Sequence, residues 1–235
     1  MIKLKRLGTY FTIWQSLALN AFQETFVNRA TNMLFFTGKL LRFSMSLVFL
    51  LLIKQNVPQF AQYSSDHLVI FYLTYHFIDL FTQILYRGVY IFSHKIRSGE
   101  FDFFLLRPVN PLFLTIAGKP DVNDFIFLFP SILVVTILVQ QLSITFTAAG
   151  IFWYLILFLN GLLIATALHI FVLAIGIITI DIDGLVWMYR DLSRLGQFPV
   201  SVYLEPMRTL LFFVVPIGMM TTIPAEMLLG QPPTY

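Results

Sequence analysis

His76 and Asp79 stand three residues apart in a stretch dominated by apolar side chains, a spacing that puts an imidazole and a carboxylate on one side of a helix. In apolar surroundings such a pair can relay a proton or bind a polar substrate, and it can equally be a satisfied interhelical hydrogen bond. His169 has no second His or carboxylate at metal-ligand spacing, and nothing matches a H-E-x-x-H site. It therefore reads as packing, with no metal site expected. Asp181 and Asp183 read as a solvated helix end. Neither Gly38-Lys39 nor Gly118-Lys119 has the earlier glycine or the following Ser or Thr of a phosphate-cradling G-x-x-x-x-G-K-[ST] loop, so ATP chemistry is not expected on this chain. No Cys is present, which excludes disulfides and thiolate chemistry. No convergent acid, base and nucleophile set emerges, and no catalytic residue is assigned.

The elements that hold these residues must live in lipid. Of the 235 residues, 58% are hydrophobic and only 11% charged, with 26 Phe, against about 25% charged in a soluble domain. The net charge of +3 fits basic loops on one face of a membrane better than nucleic acid, which is not expected as a partner. Between Phe125 and Ile180 there is no Lys, Arg, Asp or Glu over 56 residues, which as one helix would run about 84 Å against a hydrocarbon core of about 30 Å. At least two spans are forced, and the polar cluster Gln140, Gln141, Ser143, Thr145 and Thr147 is the natural break.

An all-α polytopic membrane protein is expected, with spans at about 33–53, 67–92, 124–142, 147–180 and 184–203. The stretch 147–180 could turn at Asn160 and Gly161, and is favoured as one long or kinked helix. Lys39 and Arg42 lie near the start of the first span, where long stems can snorkel to headgroups. Residues 1–32 carry Leu4, Leu7, Phe11, Trp14, Ala18 and Ala21 at steps of three and four, with Lys3, Thr9, Gln15, Asn20 and Gln23 on the other sides. That is the pattern of an amphipathic helix lying in the membrane interface. Eleven basic residues fall in the N-terminal region and in 87–119, against Lys54 alone in the loop between the first two spans. The N-terminus and the 93–121 loop are therefore expected in the cytoplasm.

Residues 94–112 are the most informative stretch. Gly99 can end one helix, Glu100 and Asp102 fit the first turn of a short second helix with Arg107 at its end, and Pro108 and Pro111 stop it. Phe101, Phe104 and Leu105 fall on its apolar side. On physics alone this elbow is either a helix resting on the membrane or a docking site for a partner. Ile96, Arg97, Gly99, Glu100, Phe101, Asp102, Leu105, Leu106, Arg107, Pro108, Pro111 and Leu112 resemble the I-R-x-G-x-[LF]-D-x-x-L-L-R-P-x-x-P-L signature of the ABC-2 type of ATP-binding-cassette permease, in its branch of small paired permeases. A looser second similarity covers Phe198, Pro199, Tyr203, Pro216, Pro224 and Leu228 to Gly230.

The resemblance implies a transmembrane permease subunit of an ATP-driven exporter in the inner membrane, N-terminus cytoplasmic, with an interface helix and a transmembrane domain over 33–230. Glu100 to Arg107 becomes the coupling helix, and 206–230 a re-entrant exoplasmic hairpin. ATP and Mg would sit on a separate ATPase subunit, with a second permease subunit, the same or different, completing the pair in membrane lipid. Family members continue past the L-L-G with a further hydrophobic span, so this sequence, with its tail 231–235, is expected to lack the final transmembrane helix. The readings from other classes are a proton-coupled carrier or intramembrane enzyme using His76 and Asp79, and a non-transporting membrane scaffold.

Overall fold

In the computed structural model, which describes residues 2–57, 59–179 and 182–233, most of the described residues are helical. The helices are α1 (Ile2–Val27), α2 (Arg29–Asn56), α3 (Ser65–Tyr90), α4 (Phe92–Arg97), α5 (Glu100–Leu105), α6 (Pro111–Ala117), α7 (Val122–Gln140), α8 (Ala148–Thr179) and α9 (Asp183–Ser193). They are followed by α10 (Met207–Val214) and α11 (Gly218–Leu228). Strands β1 (Gln59–Phe60) and β2 (Tyr63–Ser64) form a minimal antiparallel hairpin, with Phe60 opposite Tyr63.

α1 and α2 almost continue each other. The break is at Asn28, and the Asn32 side-chain amide donates to the carbonyls of Thr25 (2.7 Å) and Asn28 (3.0 Å), satisfying backbone groups that the break would otherwise orphan. The boundary expected at residue 32 thus falls one turn inside α2. Along α1, Ala21 is buried while Phe11 is exposed; the side chains of Lys3, Leu4 and Leu7 lie outside the described ones, as do Asp181 and the end of the 231–235 tail.

Among the described residues, four helical segments are long and apolar enough to cross a membrane: α2, the Ser65–Arg97 run, α7 and α8. α3 is the central one, most of its length buried, while α2 is largely exposed. Phe43, Leu47 and Leu50 of α2 pack on Leu68 to Leu73 of α3 with Phe127 of α7. A second cluster gathers Tyr86, Val89 and Phe92 with Ile116, Val172, Leu173, Val186 and Tyr189. One end of the bundle is fastened by Asp66, which meets Lys54 Nζ at 2.7 Å and accepts the Ser143 N–H at 3.0 Å. The connection 143–147 and the hairpin therefore share that end.

α8 is a single helix of 32 residues, about 48 Å long at 1.5 Å per residue, and it passes through Asn160 and Gly161 without a turn. Gly161 serves packing: a Cβ there would lie 2.8 Å from the Met220 carbonyl oxygen, so the missing side chain lets α11 approach. The expected span 184–203 is corrected. It consists of α9 of 11 residues, a 3-10 turn at Arg194–Gln197, and a second at Val200–Val202. Pro199 between the turns has no N–H with which to continue a helix, and Gly196 is closed in by Ile217 and Thr221. The segment that could serve as a fifth crossing is the pair α10 and α11, bent by 74° around Pro216.

The hairpin is tied to α11 by a buried bond in which the Tyr63 hydroxyl donates to Glu226 Oε1 at 2.6 Å. Both residues are essentially inaccessible. Tyr63→Phe removes that donor from a buried acceptor and is expected to destabilise the protein by about 1–3 kcal/mol. A thermal melt of the variant in detergent checks this; an unchanged midpoint would show that another donor replaces the phenol.

Candidate functional site: an apolar elbow and a polar cavity

The elbow begins where Gly99 adopts φ +74°, a left-handed conformation in which a Cβ is strained. α5 follows, with Glu100 and Asp102 in its first turn, where carboxylates suit the helix dipole. It ends at Leu105, so Arg107 lies beyond it rather than in its last turn. Instead the Arg107 guanidinium sits 5.3 Å from the Phe104 ring centroid, and Lys95 Nζ lies 4.5 Å from the same ring, two cation–π contacts that brace the elbow. Phe101 packs edge-on against buried Phe92 at 5.0 Å. The expected apolar side of Phe101, Phe104 and Leu105 is thus divided. Phe101 anchors inward, Phe104 lies under the cations, and Leu105 joins Phe103 and Leu106 as exposed apolar surface, 56%, 66% and 80% accessible.

Ile96 leans on the second core cluster. Arg97 Nη2 reaches Asp183 Oδ2 at 3.2 Å, and the Ser93 hydroxyl donates to the same oxygen at 3.0 Å. Asp183, 47% exposed at the start of α9, is a solvated helix end that also tethers α9 to the end of α4. Asn110 caps α6, accepting from the N–H groups of Leu112 (2.8 Å) and Phe113 (3.3 Å), with Pro111 at the first helical position as its fixed φ favours. Pro108 is exposed in the turn before this cap. The Tyr10 hydroxyl accepts from the Asn110 N–H at 3.3 Å, and Lys119 Nζ lies 2.8 Å from Glu24. α1 is thereby held along the segment carrying the elbow.

The second feature is a cavity of about 110 Å³ between α2, α3, α7 and α9. It is lined by Lys39, Arg42, Tyr72, His76, Asp79, Asp124 and Arg190, among others. Lys39 does not snorkel outward. Its Nζ lies 3.1 Å from Asp121 and 2.7 Å from Asp124, the latter a charge contact without hydrogen-bond alignment. Asp121 also caps α7 through the N–H groups of Asn123 and Asp124. His76 Nε2 is 3.2 Å from the Ser131 hydroxyl and its ring stacks on Phe43 at 4.4 Å. No hydrogen bond among the described residues joins it to Asp79, although both line the cavity. His169 is buried elsewhere. Its Nδ1 is 2.7 Å from the Ala165 carbonyl oxygen and its ring lies 4.8 Å from those of Tyr86 and Tyr189, an arrangement that makes it packing material. Among the described residues no cluster of His, Cys, Asp and Glu could hold a metal ion.

The proline-broken region lies against the hairpin end of the bundle. Phe198, next to buried Pro199, meets Phe60 at 6.2 Å. Pro216 lies at the bend between α10 and α11, and Pro224 near the start of the final α-helical turns. Gly230, at φ +65°, terminates α11, with the Gln231 N–H donating back to the Glu226 carbonyl at 2.9 Å in a Schellman-type closure.

Sequence reasoning named His76 and Asp79 but not that Arg42 and Arg190 line the same cavity. The available signal was the presence of four cations, Lys39, Arg42, Arg190 and Arg194, inside segments otherwise apolar, since such residues face protein or water.

Neither the curated proteins nor the solved structures yield a match to the chain. A family model described as ABC-2 family transporter protein matches residues 40–235, the stretch that contains the elbow, the cavity and the bent pair. This all-α polytopic membrane protein therefore belongs to the ABC-2 family of transporter proteins.

Proposed function

We infer that the chain is the permease subunit of an ATP-driven exporter in the cell's inner membrane, moving substrate by alternating access. A separate ATP-binding-cassette subunit binds ATP and Mg, and a second permease subunit completes the pair. The observation that carries this is the family match over 40–235, within which the elbow presents Phe103, Leu105 and Leu106 outward beside exposed Glu100, Asp102 and Arg107. An exposed apolar patch rimmed by charge is the form of a protein contact. On this reading α5 is the coupling helix, α1 lies in the cytoplasmic interface, and α10 with α11 is the re-entrant exoplasmic hairpin. The topology is supported by the ion pairs and bonds that gather Glu24, Lys119, Arg97 and Asn110 at one end. The hairpin and Lys54 share the other, leaving most basic residues on the side assigned to the cytoplasm. A proton-relay reading of His76 and Asp79 is not favoured, because His76 turns to Ser131.

The tagged chain, extracted in mild detergent after coexpression with the ATPase from the adjoining reading frame, should bring that subunit down. Glu100→Lys and Arg107→Glu should each abolish most of the ATPase stimulation by the permease while leaving membrane insertion unchanged. Absence of copurification would sink the assignment, and unaltered stimulation in both variants would move the contact away from the elbow.

A further inference from the structure

Charge in the cavity is unevenly matched. Lys39 and Arg87 face Asp121 and Asp124, and Arg194 meets Asp191 at 2.8 Å. What remains on the cavity wall is Arg42 and Arg190 against Asp79, and among the described residues none of these three has an oppositely charged partner within 4.0 Å. Arg190 lies instead over the rings of Tyr90 and Trp187, at 5.8 and 5.6 Å. A cation on a cavity wall with no opposite charge to meet it is placed to receive an anion. Guanidinium forks are the side chains best shaped to receive a phosphate or carboxylate.

Size and position narrow the ligand. At about 110 Å³ the cavity is well below the roughly 300–1,000 Å³ that encloses a whole drug-sized molecule, so it suits a headgroup and not an entire amphiphile. One wall is α2, on which Arg42 is itself exposed and adjoins the outward-facing Leu40, Leu41, Met45 and Phe49. That surface can carry an alkyl chain while the polar end turns inward. The geometry points to a binding site for the oxyanion headgroup of an anionic amphiphile, received by Arg42 and Arg190 beside Ser46, Tyr72 and His76. This rests on the permease reading where it names a substrate class, but binding itself requires no ATPase.

The full chain in dodecyl maltoside is titrated with dodecyl phosphate, inorganic phosphate and dodecyltrimethylammonium, following the unfolding midpoint and tryptophan fluorescence. Dodecyl phosphate should bind saturably and at least about tenfold more tightly than inorganic phosphate, and the cationic amphiphile should not saturate. Arg42→Gln and Arg190→Gln should each weaken dodecyl phosphate binding by about tenfold or more, the scale of a lost charge-assisted hydrogen bond. Arg42→Lys and Arg190→Lys, which keep the charge but not the fork, should fall between and show that the site rather than the fold has changed. Equal affinity in wild type and glutamine variants would mean non-specific partitioning and overturn the site. Inorganic phosphate binding as tightly as dodecyl phosphate would make the ligand an aqueous anion and overturn the amphiphile. A changed elution volume in the glutamine variants with unchanged affinity would assign the arginines to a subunit contact and overturn the site. The assay contains neither ATPase nor nucleotide, so its failure leaves the permease reading intact, and a missing ATPase partner leaves the binding result intact.

Discussion

Lys39→Met should destabilise the protein by about 3 kcal/mol, the lower end of the range for removing one partner from a buried ion pair. The lower end applies because Lys39 retains 22% accessibility, whereas the carboxylates it serves, Asp121 and Asp124, retain 10% and 7%. Removing the ammonium leaves Asp124 without its cation and Asp121 with only Arg87, at 3.6 Å. The loss comes mainly from Asp124, a carboxylate left stranded in a medium that solvates it poorly, not from the attraction itself. It follows that Lys39→Met combined with Asp124→Asn should recover much of the stability, because the second change removes a stranded charge. Denaturant titration of the two single variants and the double variant gives the coupling energy directly. A single variant within about 0.5 kcal/mol of wild type, the range of an ordinary surface substitution, would mean that water reaches the pair freely.

Gly88→Val should be at least as damaging, by a different route. A Cβ at Gly88 would collide with the Thr115 carbonyl oxygen and lie 3.2 Å from its carbon. The obstacle is the backbone of α6, which cannot rotate aside as a side chain can, so α3 and α6 must separate. Overpacking costs typically about 1–3 kcal/mol, and a backbone clash of this depth is expected to exceed that range. Because α6 directly follows the elbow, the variant should also lose ATPase stimulation even where some folded protein survives. Gly38→Ala is the control: nothing lies within 4 Å of a Cβ there, and replacing a mid-helix glycine should stabilise by up to about 1 kcal/mol. Comparable yields and melting points for both variants would refute the close approach of α3 to α6.

Gly88 and Gly38 illustrate what could not be read in one dimension. Both are glycines in apolar helices, and only the arrangement of α6 against α3 separates a forbidden position from an open one. The same holds for the cations of the first span. Lys39 and Arg42 look alike in sequence, near the start of a hydrophobic run, and were expected to snorkel. The fold turns Lys39 onto two aspartates over eighty residues away and leaves Arg42 without a carboxylate partner among the described residues. At the elbow, the apolar side anticipated from Phe101, Phe104 and Leu105 proved to be three different environments, because the short α5 is rolled by the anchoring of Phe101 on Phe92 and by the two cations over Phe104.

The sequence alone determined the solvent, the class of fold and the family. A composition that cannot be wetted forces helices, since backbone groups in lipid must pair within their own segment. A contiguous motif such as residues 94–112 stays legible because Gly99, Pro108 and Pro111 act locally on φ and on helix continuity. Only the tertiary structure decided how the chain beyond α8 is divided. Pro199 and the close packing at Gly196 divide 184–203 into short turns, while α10 and α11 fold as a bent pair against α8 through Gly161. It also assembled the cavity, whose charges come from α2, α3, α7, α9 and the turn that follows α9. Spacing within one helix cannot report a site whose parts are brought together by packing, because matching of charge across helices depends on distances that no single segment contains.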